Sequence, residues 1–292
     1  MPADHEIDSR NKNIQIYING SFYHRDEAKI SVYDSGFLMG DGIWEGLRLV
    51  NDKWIFIDEH IDRLFEGCKA IDLDIKMTKE DIVSALDETK AINNMSNEVH
   101  ARLMITRGNK SKPFQQPHLS ESGINIVIIM EHSKPNTDLK NITMATVPQV
   151  RGLPMSQDPK LNSHSKLNCI LACIQANKLG ADEALMLDPL GFVNTTNSCN
   201  FFIVKNNQVW TSTGDYCMNG VTRQNIINLC KENNIPIYEK NFSLVDVYSA
   251  DEAFITGTLG SLTNVTSIDN RNIGSNSNPM SDKLRNCYKK LL

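Results

Sequence analysis

The chain has 292 residues, of which 40% are hydrophobic and 22% are charged, and its formal net charge is −5 at pH 7. This composition is typical of a soluble globular protein with one large or two medium domains, and it excludes collagen-like, disordered and disulfide-rich classes. The longest apolar run, Ile124–Met130, is too short to cross a bilayer, and the mild negative charge offers no basic surface, so neither a membrane nor a nucleic acid is expected as a partner.

Seven cysteines are scattered along the chain, and no two of them are spaced as C-x-x-C. An odd number without motif spacing favours free thiols in a reducing compartment over a disulfide framework or a metal site. The first ten residues are polar and mostly acidic, without the basic and apolar regions of a signal peptide. A cytoplasmic location and no bound metal are therefore expected.

In the first half of the chain, short apolar runs predict strands and longer periodic runs predict two helices. The predicted strands are Ile14–Ile18, Ser21–His24, Lys29–Tyr33, Leu47–Val50, Trp54–Ile57, Val99–Thr106 and Ile124–Met130. Asn19-Gly20 between the first two strands predicts a tight hairpin. One helix is predicted to begin near Asp58, and a second is predicted after the capping sequence Thr78–Asp81.

The second half repeats this mixture after a polar segment that contains a proline. The predicted strands are Ile142–Val147, Ala184–Leu187, Phe201–Val204, Gln208–Trp210 and Ala253–Thr256. Helices are predicted at Lys166–Leu179 and from about Gly220 to Glu232. The pattern predicts an α+β protein in two halves. The predicted parts are a small N-terminal domain of residues 1–131, a linker at 132–139 and a larger C-terminal domain of residues 140–292.

Four features of the sequence suit a site that holds an anionic ligand beside an amine. Lys166 opens a predicted amphipathic helix, where a rigid base and partial desolvation suit a lysine that forms a Schiff base. The helix start at Gly220–Thr222 offers free N–H groups and a hydroxyl to an anion. Gly257-Thr258 and Arg63 are further candidates for a phosphate contact. The structural alternatives are a surface lysine, a capping threonine, a turn glycine and a surface arginine.

Ten motifs stand in the order found in class IV aminotransferases, so the chain resembles this family of fold-type IV pyridoxal-phosphate enzymes, which includes branched-chain and D-amino-acid aminotransferases. The motifs are Tyr17–Gly20, Lys29–Gly36, Gly40–Arg48, His60–Leu64, Lys166–Asn168, Asp182–Asp188, Asn200–Val204, Gly220–Arg223, Ala250–Phe254 and Thr256–Thr258. The resemblance covers about residues 14–275. It implies a two-domain α+β fold with the cofactor between the domains, and a homodimer or a larger homo-oligomer.

The resemblance also implies the reaction and the residues that carry it. The expected reaction moves an amino group from an amino acid, with a branched-chain donor as the first choice, or from an amine to a 2-oxo acid such as 2-oxoglutarate. Lys166 would form the Schiff base with pyridoxal 5'-phosphate and move the proton during the reaction. The implied phosphate-binding positions are Arg63, Val221, Thr222 and Thr258. The implied substrate positions are Trp44, Arg48, Arg102 and Leu259, the last through its backbone N–H.

The sequence also departs from the family at positions around the cofactor. Thr195 stands where the family places a glutamate against the pyridine nitrogen, and a neutral hydroxyl cannot keep that nitrogen protonated by charge. Cys169 and Met39 replace tyrosines, and Ser261 and Asn264 replace Glu and Pro after the Gly-Thr turn. These departures leave three alternatives: a lyase similar to aminodeoxychorismate lyase, a D-amino-acid or amine aminotransferase, and a pyridoxal-phosphate-binding protein with impaired catalysis.

Overall fold

A computed structural model describes residues 8–133, 141–274 and 277–292. The α-helices are α1 (Ser35–Met39), α2 (Ile57–Ala70), α3 (Lys79–Ile92), α4 (Pro154–Gln157), α5 (Leu167–Lys178), α6 (Val221–Glu232), α7 (Leu244–Tyr248) and α8 (Pro279–Lys289). The strands are β1 (Gln15–Ile18), β2 (Ser21–His24), β3 (Gly42–Val50), β4 (Lys53–Trp54), β5 (Val99–Thr106), β6 (Asn125–His132), β7 (Ile142–Thr146), β8 (Glu183–Leu187), β9 (Val193–Thr196), β10 (Asn200–Lys205), β11 (Gln208–Thr211), β12 (Ile237–Glu239), β13 (Glu252–Gly257), β14 (Ser261–Ile268) and β15 (Arg271–Asn272). No helix of the described residues is long and apolar enough to span a membrane.

The chain divides into two compact units, each of which combines a β-sheet with helices. The N-terminal unit contains the described residues 8–133 together with the short segment Asn162–Lys166. The C-terminal unit contains the rest of the described chain. This architecture confirms the predicted α+β class. Most of the predicted linker at 132–139 lies outside the described residues.

The sheet of the N-terminal unit is antiparallel, with the strand order β2-β1-β6-β5-β3-β4. Helix α2 packs against β3, and α3 packs against β1 and β6. Alternate residues of β5 point toward this helical layer, and Val99, Ala101, Leu103 and Ile105 are completely buried there. The intervening side chains occupy the opposite face, which we call the open face of the N-terminal sheet.

The sheet of the C-terminal unit closes on itself. Strand β9 pairs with both β8 and β10, so that β10, β13, β14, β7, β8 and β9 form a ring of paired strands. Its core is built from alternating inward residues such as Phe201, Ile203, Leu185 and Val265. Helices α5, α6 and α8 pack against this sheet. Closure leaves the ends of the ring strands as the places where polar side chains and helix starts can meet.

Elements with strong local sequence patterns form as predicted. Asn19 and Gly20 both have positive φ angles, 51° and 87°, in the turn between β1 and β2. The predicted capping box is present at α3, where the Thr78 hydroxyl accepts from the Asp81 N–H and the Asp81 carboxylate accepts from the Thr78 N–H. Strand β5 and helix α6 also match their predicted ranges closely.

Two strand predictions are wrong. Lys29–Tyr33 forms no strand, and its apolar side chains Ile30 and Val32 are exposed, so the run has no sheet to pack against. Trp54–Ile57 contributes only Trp54 to a strand, because Phe56 adopts a left-handed backbone conformation (φ 54°) that stops the extension just before α2 begins.

Candidate active site

Lys166 ends a short segment of the N-terminal unit that is bound along the edge of β3. The Trp44 N–H donates to the Asn162 carbonyl at 3.0 Å, and the His164 N–H donates to the Gly42 carbonyl at 2.9 Å. The Trp44 indole N–H also donates to the Ser163 carbonyl at 3.2 Å. Helix α5 begins at the next residue, Leu167, close to the predicted helix start. The backbone that carries Lys166 is therefore fixed by the sheet on one side and followed directly by a helix.

Two cations lie over the indole ring of Trp44. The Lys166 ammonium is 5.6 Å from a ring centroid, and the Arg102 guanidinium is 4.0 Å from one. Arg102 stands opposite Gly46 across β3 and β5, and burial lowers the pKa of Arg102. The structure thus brings together Lys166, Trp44 and Arg102, which the sequence placed in one site. Lys166 therefore lies beside an aromatic ring that also carries a second positive group, the Arg102 guanidinium.

Arg48 lies farther along the same open face, opposite His100. No sequence motif indicated His100, although its place in the alternation of β5 puts it beside Arg102 and away from the apolar residues. Burial, with the positive charge of Arg102 and the nearby His60 as further causes, lowers the pKa of His100 to about 4. A Cβ at Gly46 would lie 3.1 Å from His100 Nε2, so the glycine gives this ring room. His100 therefore presents a neutral imidazole at neutral pH.

A cavity of about 540 Å³ opens on the same face of the N-terminal sheet. Its apolar lining includes Ile16, Ile18, Met104, Val127 and Ile129. His164 also lines it, and Nε2 of His164 is buried without a hydrogen-bond partner among the described residues. Register places Met104 directly opposite Trp44, so the cavity adjoins the side chains that surround Lys166.

Arg63 lies on α2 and contacts a different group of residues. Its Nε and Nη2 donate to the Glu45 carboxylate at 2.8 and 2.7 Å, and His60 Nδ1 is 2.7 Å from the same carboxylate. Glu45 projects from β3 toward the helical layer, the side opposite to that of Trp44. Glu45 and His60 belong to motifs of the family resemblance, but no role was predicted for either residue.

In the C-terminal unit, the start of α6 forms a candidate anion site. Val221 and Thr222 are the first two residues of this helix, and its N-cap, Gly220, supplies no side-chain hydrogen bond. The first N–H groups of an α-helix have no partner within the helix and carry partial positive charge. A Cβ at Gly220 would lie 2.4 Å from Asn200 Oδ1, so only glycine allows this close approach without a shift.

Polar side chains of the adjoining strands lie next to this helix start. Asn200 on β10 stands between Thr195 of β9 and Thr256 of β13 in the strand register. The Thr195 hydroxyl donates to the Cys199 carbonyl at 2.7 Å. Thr256 is 2% exposed, and its hydroxyl has no hydrogen-bond partner among the described residues. A buried hydroxyl without a partner beside an uncapped helix start indicates a binding site for a polar ligand.

The remaining predicted positions lie near these strand ends. Thr258 and Leu259 form the turn between β13 and β14, beyond the pair of Gly257 and Ser261. Cys169, on α5, contacts the Arg151 guanidinium, with Nη1 at 3.3 Å from Sγ. Arg151 was not among the predicted site residues, and its guanidinium also donates to a backbone carbonyl of β9.

The chain is similar to known proteins along most of its length. The chain matches the family model described as amino-transferase class IV over residues 42–268. It is 36% identical to branched-chain-amino-acid aminotransferase-like protein 2 of Arabidopsis thaliana, over 96% of this chain and 51% of that protein. A putative branched-chain-amino-acid aminotransferase of Methanocaldococcus jannaschii is 37% identical over 90% of each chain. A D-alanine aminotransferase of Listeria monocytogenes is 32% identical over 88% of each chain. The chain thus spans about half the length of the Arabidopsis relatives.

Solved structures show the same fold. The branched-chain aminotransferase of Thermoproteus uzoniensis with norvaline has a TM-score of 0.87 and 26% identity, over 95% of this chain and 94% of that chain. A second branched-chain amino acid aminotransferase, complexed with N-(5'-phosphopyridoxyl)-L-glutamate, has a TM-score of 0.87 and 25% identity, over 96% of this chain and 94% of that chain. The family model, the relatives and the fold confirm the resemblance first indicated by the motifs: the chain belongs to the class IV aminotransferases.

Proposed function

We propose that this protein is a pyridoxal-phosphate-dependent aminotransferase that moves an amino group from an amino acid or amine to a 2-oxo acid in two half-reactions. The observation that carries the proposal is the placement of Lys166. Three hydrogen bonds fix the segment before it to β3, and its ammonium lies over Trp44 beside Arg102. A lysine that binds a cofactor covalently needs such a rigid base.

The residues present fit the phosphate of the cofactor. A phosphate carries nearly two negative charges, and helix N-termini, hydroxyls and arginine are its usual partners in proteins. We assign phosphate binding to Arg63, Val221, Thr222 and Thr258. The uncapped start of α6 and the unpartnered, buried hydroxyl of Thr256 next to it support this assignment.

We assign contact with the pyridine nitrogen to Thr195. Its hydroxyl donates to the Cys199 carbonyl, so its oxygen can accept a hydrogen bond only from the protonated ring nitrogen. The Thr195 side chain is uncharged, in contrast to the carboxylate that the family resemblance leads one to expect.

Within this proposal the bound cofactor supplies an electron sink for the α-carbon of the substrate. Lys166 holds the cofactor, and its amine carries the proton that leaves the α-carbon. The Trp44 indole positions the lysine chain and excludes water from one side of it. Arg48, Arg102 and the backbone N–H of Leu259 are assigned to the substrate, whose carboxylate suits a guanidinium and an amide donor.

We propose an amino donor with an apolar side chain, with branched-chain amino acids as the first choice. The cavity lined by Met104 supports this assignment, because isoleucine and valine side chains such as Ile16 and Val127 also line it. The names of the Arabidopsis and Methanocaldococcus relatives agree with it. We also propose a homodimer, as the family resemblance implies, and a cytoplasmic location, which the free cysteines support.

The test is a half-reaction panel, in which the cofactor spectrum of the purified protein is followed with single amino donors. The panel contains L- and D-forms of branched-chain amino acids, alanine and glutamate, and simple amines. We expect apolar donors to convert the lysine-bound form of the cofactor to its amine form. Lys166→Ala should lose the visible band of the lysine-bound cofactor, since no amine remains at that place to form the bond.

Borohydride reduction followed by peptide mapping gives an independent outcome. Reduction fixes the cofactor on its lysine, and we expect the label on the peptide that contains Lys166. A label on another lysine, or an unchanged spectrum in Lys166→Ala, would contradict the assignment. Release of pyruvate from an amino acid without formation of the amine form would identify a lyase instead.

A further inference from the structure

We infer that Glu45 and His60 are positioning residues for the cofactor phosphate, because they fix the guanidinium of Arg63 in the orientation that binds it. The inference rests on the proposed function, in which Arg63 binds the phosphate. Glu45 and His60 do not touch the ligand in this account, and they act only through Arg63.

The three side chains form one hydrogen-bonded cluster between β3 and α2. Arg63 binds Glu45 side-on: Nε donates to Oε1 at 2.8 Å and Nη2 donates to Oε2 at 2.7 Å. His60 Nδ1 lies 2.7 Å from Oε2. The Glu45 side chain has no exposed surface and that of His60 is 2% exposed, whereas that of Arg63 is 17% exposed. The cluster is therefore buried at its carboxylate and reaches solvent at its arginine.

Two parallel N–H···O bonds on one edge of a guanidinium fix the plane of the whole group. Burial raises the pKa of the Glu45 carboxyl, but the hydrogen bonds from Arg63 and His60 more than offset it, and the pKa lies below its ordinary value. Glu45 is therefore ionised at neutral pH. A fully buried carboxylate contributes little net stability as half of an ion pair, because desolvation cancels much of the attraction. The carboxylate also fixes the geometry of Arg63 through its two hydrogen bonds.

A second arginine of the same unit shows what a purely structural pair does. Arg107 binds Asp41 side-on as well, with Nε at 2.8 Å and Nη2 at 3.1 Å. Its guanidinium also donates to the backbone carbonyls of Ile71 and Asp72, just after α2. Arg107 thus ties the end of a helix to a loop. The Asp41–Arg107 pair has the same pairing geometry and serves as the matched control.

The experiment compares the affinities of pyridoxal phosphate and pyridoxal for the full chain after the native cofactor is removed. The two ligands differ at the phosphate, so a change between variants in the ratio of their dissociation constants (pyridoxal phosphate over pyridoxal) reports on phosphate binding. We expect Glu45→Gln to weaken pyridoxal phosphate binding about 10- to 100-fold, the loss seen at metal sites when a residue that orients a metal ligand is replaced. Pyridoxal binding should change much less, and Asp41→Asn should leave the ratio unchanged.

His60→Gln keeps the Arg63–Glu45 pair and loses one hydrogen bond, and we expect the dissociation constant of pyridoxal phosphate to rise a few-fold relative to that of pyridoxal. This variant decides the matter if Glu45→Gln does not fold. An unchanged ratio in the folded variants would overturn the inference, even where the affinities for both ligands fall by the same factor. Failure of the wild-type protein to bind pyridoxal phosphate would instead overturn the proposed function, so the two failures are distinguishable.

Discussion

The two units differ in how they present positive charge to an anion. In the N-terminal unit the charge sits on long side chains, Arg63 and Arg102, which are held by a buried carboxylate and by an indole ring. In the C-terminal unit the donors are backbone N–H groups at the start of α6 and small hydroxyls at the strand ends. The position of a side-chain charge depends on partner residues, which a single substitution can remove. The position of a backbone donor depends on the space around the main chain. The two kinds of site therefore fail under different substitutions.

Gly220→Ala tests the site at the start of α6, whose donors are backbone N–H groups, and it should have the largest effect on cofactor binding among the variants below. The new Cβ would lie 2.4 Å from Oδ1 of Asn200, whose amide donates to the Met218 carbonyl at 2.9 Å and is buried. Since Asn200 cannot move freely, the first turn of α6 must shift. We expect pyridoxal phosphate to bind about tenfold more weakly, a loss of about 1.4 kcal/mol, as measured by titration of the full chain.

Gly152→Ala is the matched control in the same unit, because the nearest atom to its Cβ is Ser156 Oγ at 3.8 Å. It should bind the cofactor as the wild-type protein does. Equal affinity in Gly220→Ala and Gly152→Ala would show that the start of α6 does not bind the phosphate. The proposed use of backbone donors in the C-terminal unit would then be wrong.

Thr195→Glu adds a side-chain charge to the unit that otherwise uses neutral donors. A carboxylate close to the pyridine nitrogen favours its protonated form, and we expect the pH of the cofactor's spectral transition to rise by about one unit or more. Thr195→Gln has the same size without the charge and should leave the transition near its wild-type pH. Identical pH-dependent spectra in the three proteins would show that Thr195 is not the partner of the ring nitrogen.

The sequence correctly predicted those elements that are determined by a few neighbouring residues. The Thr78–Asp81 capping box and the Asn19-Gly20 turn each act within four residues, and both formed as expected. Strand β14 was missed, since polar residues such as Thr263 and Asn264 obscure its alternation and only its place between β13 and β7 makes it a strand. Tertiary pairing overrides local preference in such runs.

The candidate site shows the same limit. Motif order was enough to propose Lys166 and the start of α6, but not the contacts that fix them. The segment before Lys166 hydrogen-bonds to Trp44, 119 residues away from Ser163 in the sequence. Glu45 and His60 meet because a strand and a helix pack together, and no spacing rule predicts that contact. Long-range pairing, rather than composition, decides which side chains surround the reactive groups.

The last prediction concerns the stability of the N-terminal unit at low pH, where His100 lies beside Arg102. Burial lowers the pKa of His100 from 6.5 to about 4, so between these pH values the unfolded chain binds a proton that the folded chain does not. Stability is therefore complete above about pH 6.5 and falls as the pH drops toward 4. His100→Gln removes this titration, and we expect a shallower fall in the thermal unfolding midpoint between pH 7 and pH 5, by a few degrees. His118→Gln, at an exposed position, should reproduce the wild-type slope. The unfolding midpoint could instead fall with pH equally in His100→Gln and in the wild-type protein. That result would show that burial does not lower the pKa of His100, and that the charged open face costs the unit no stability in acid.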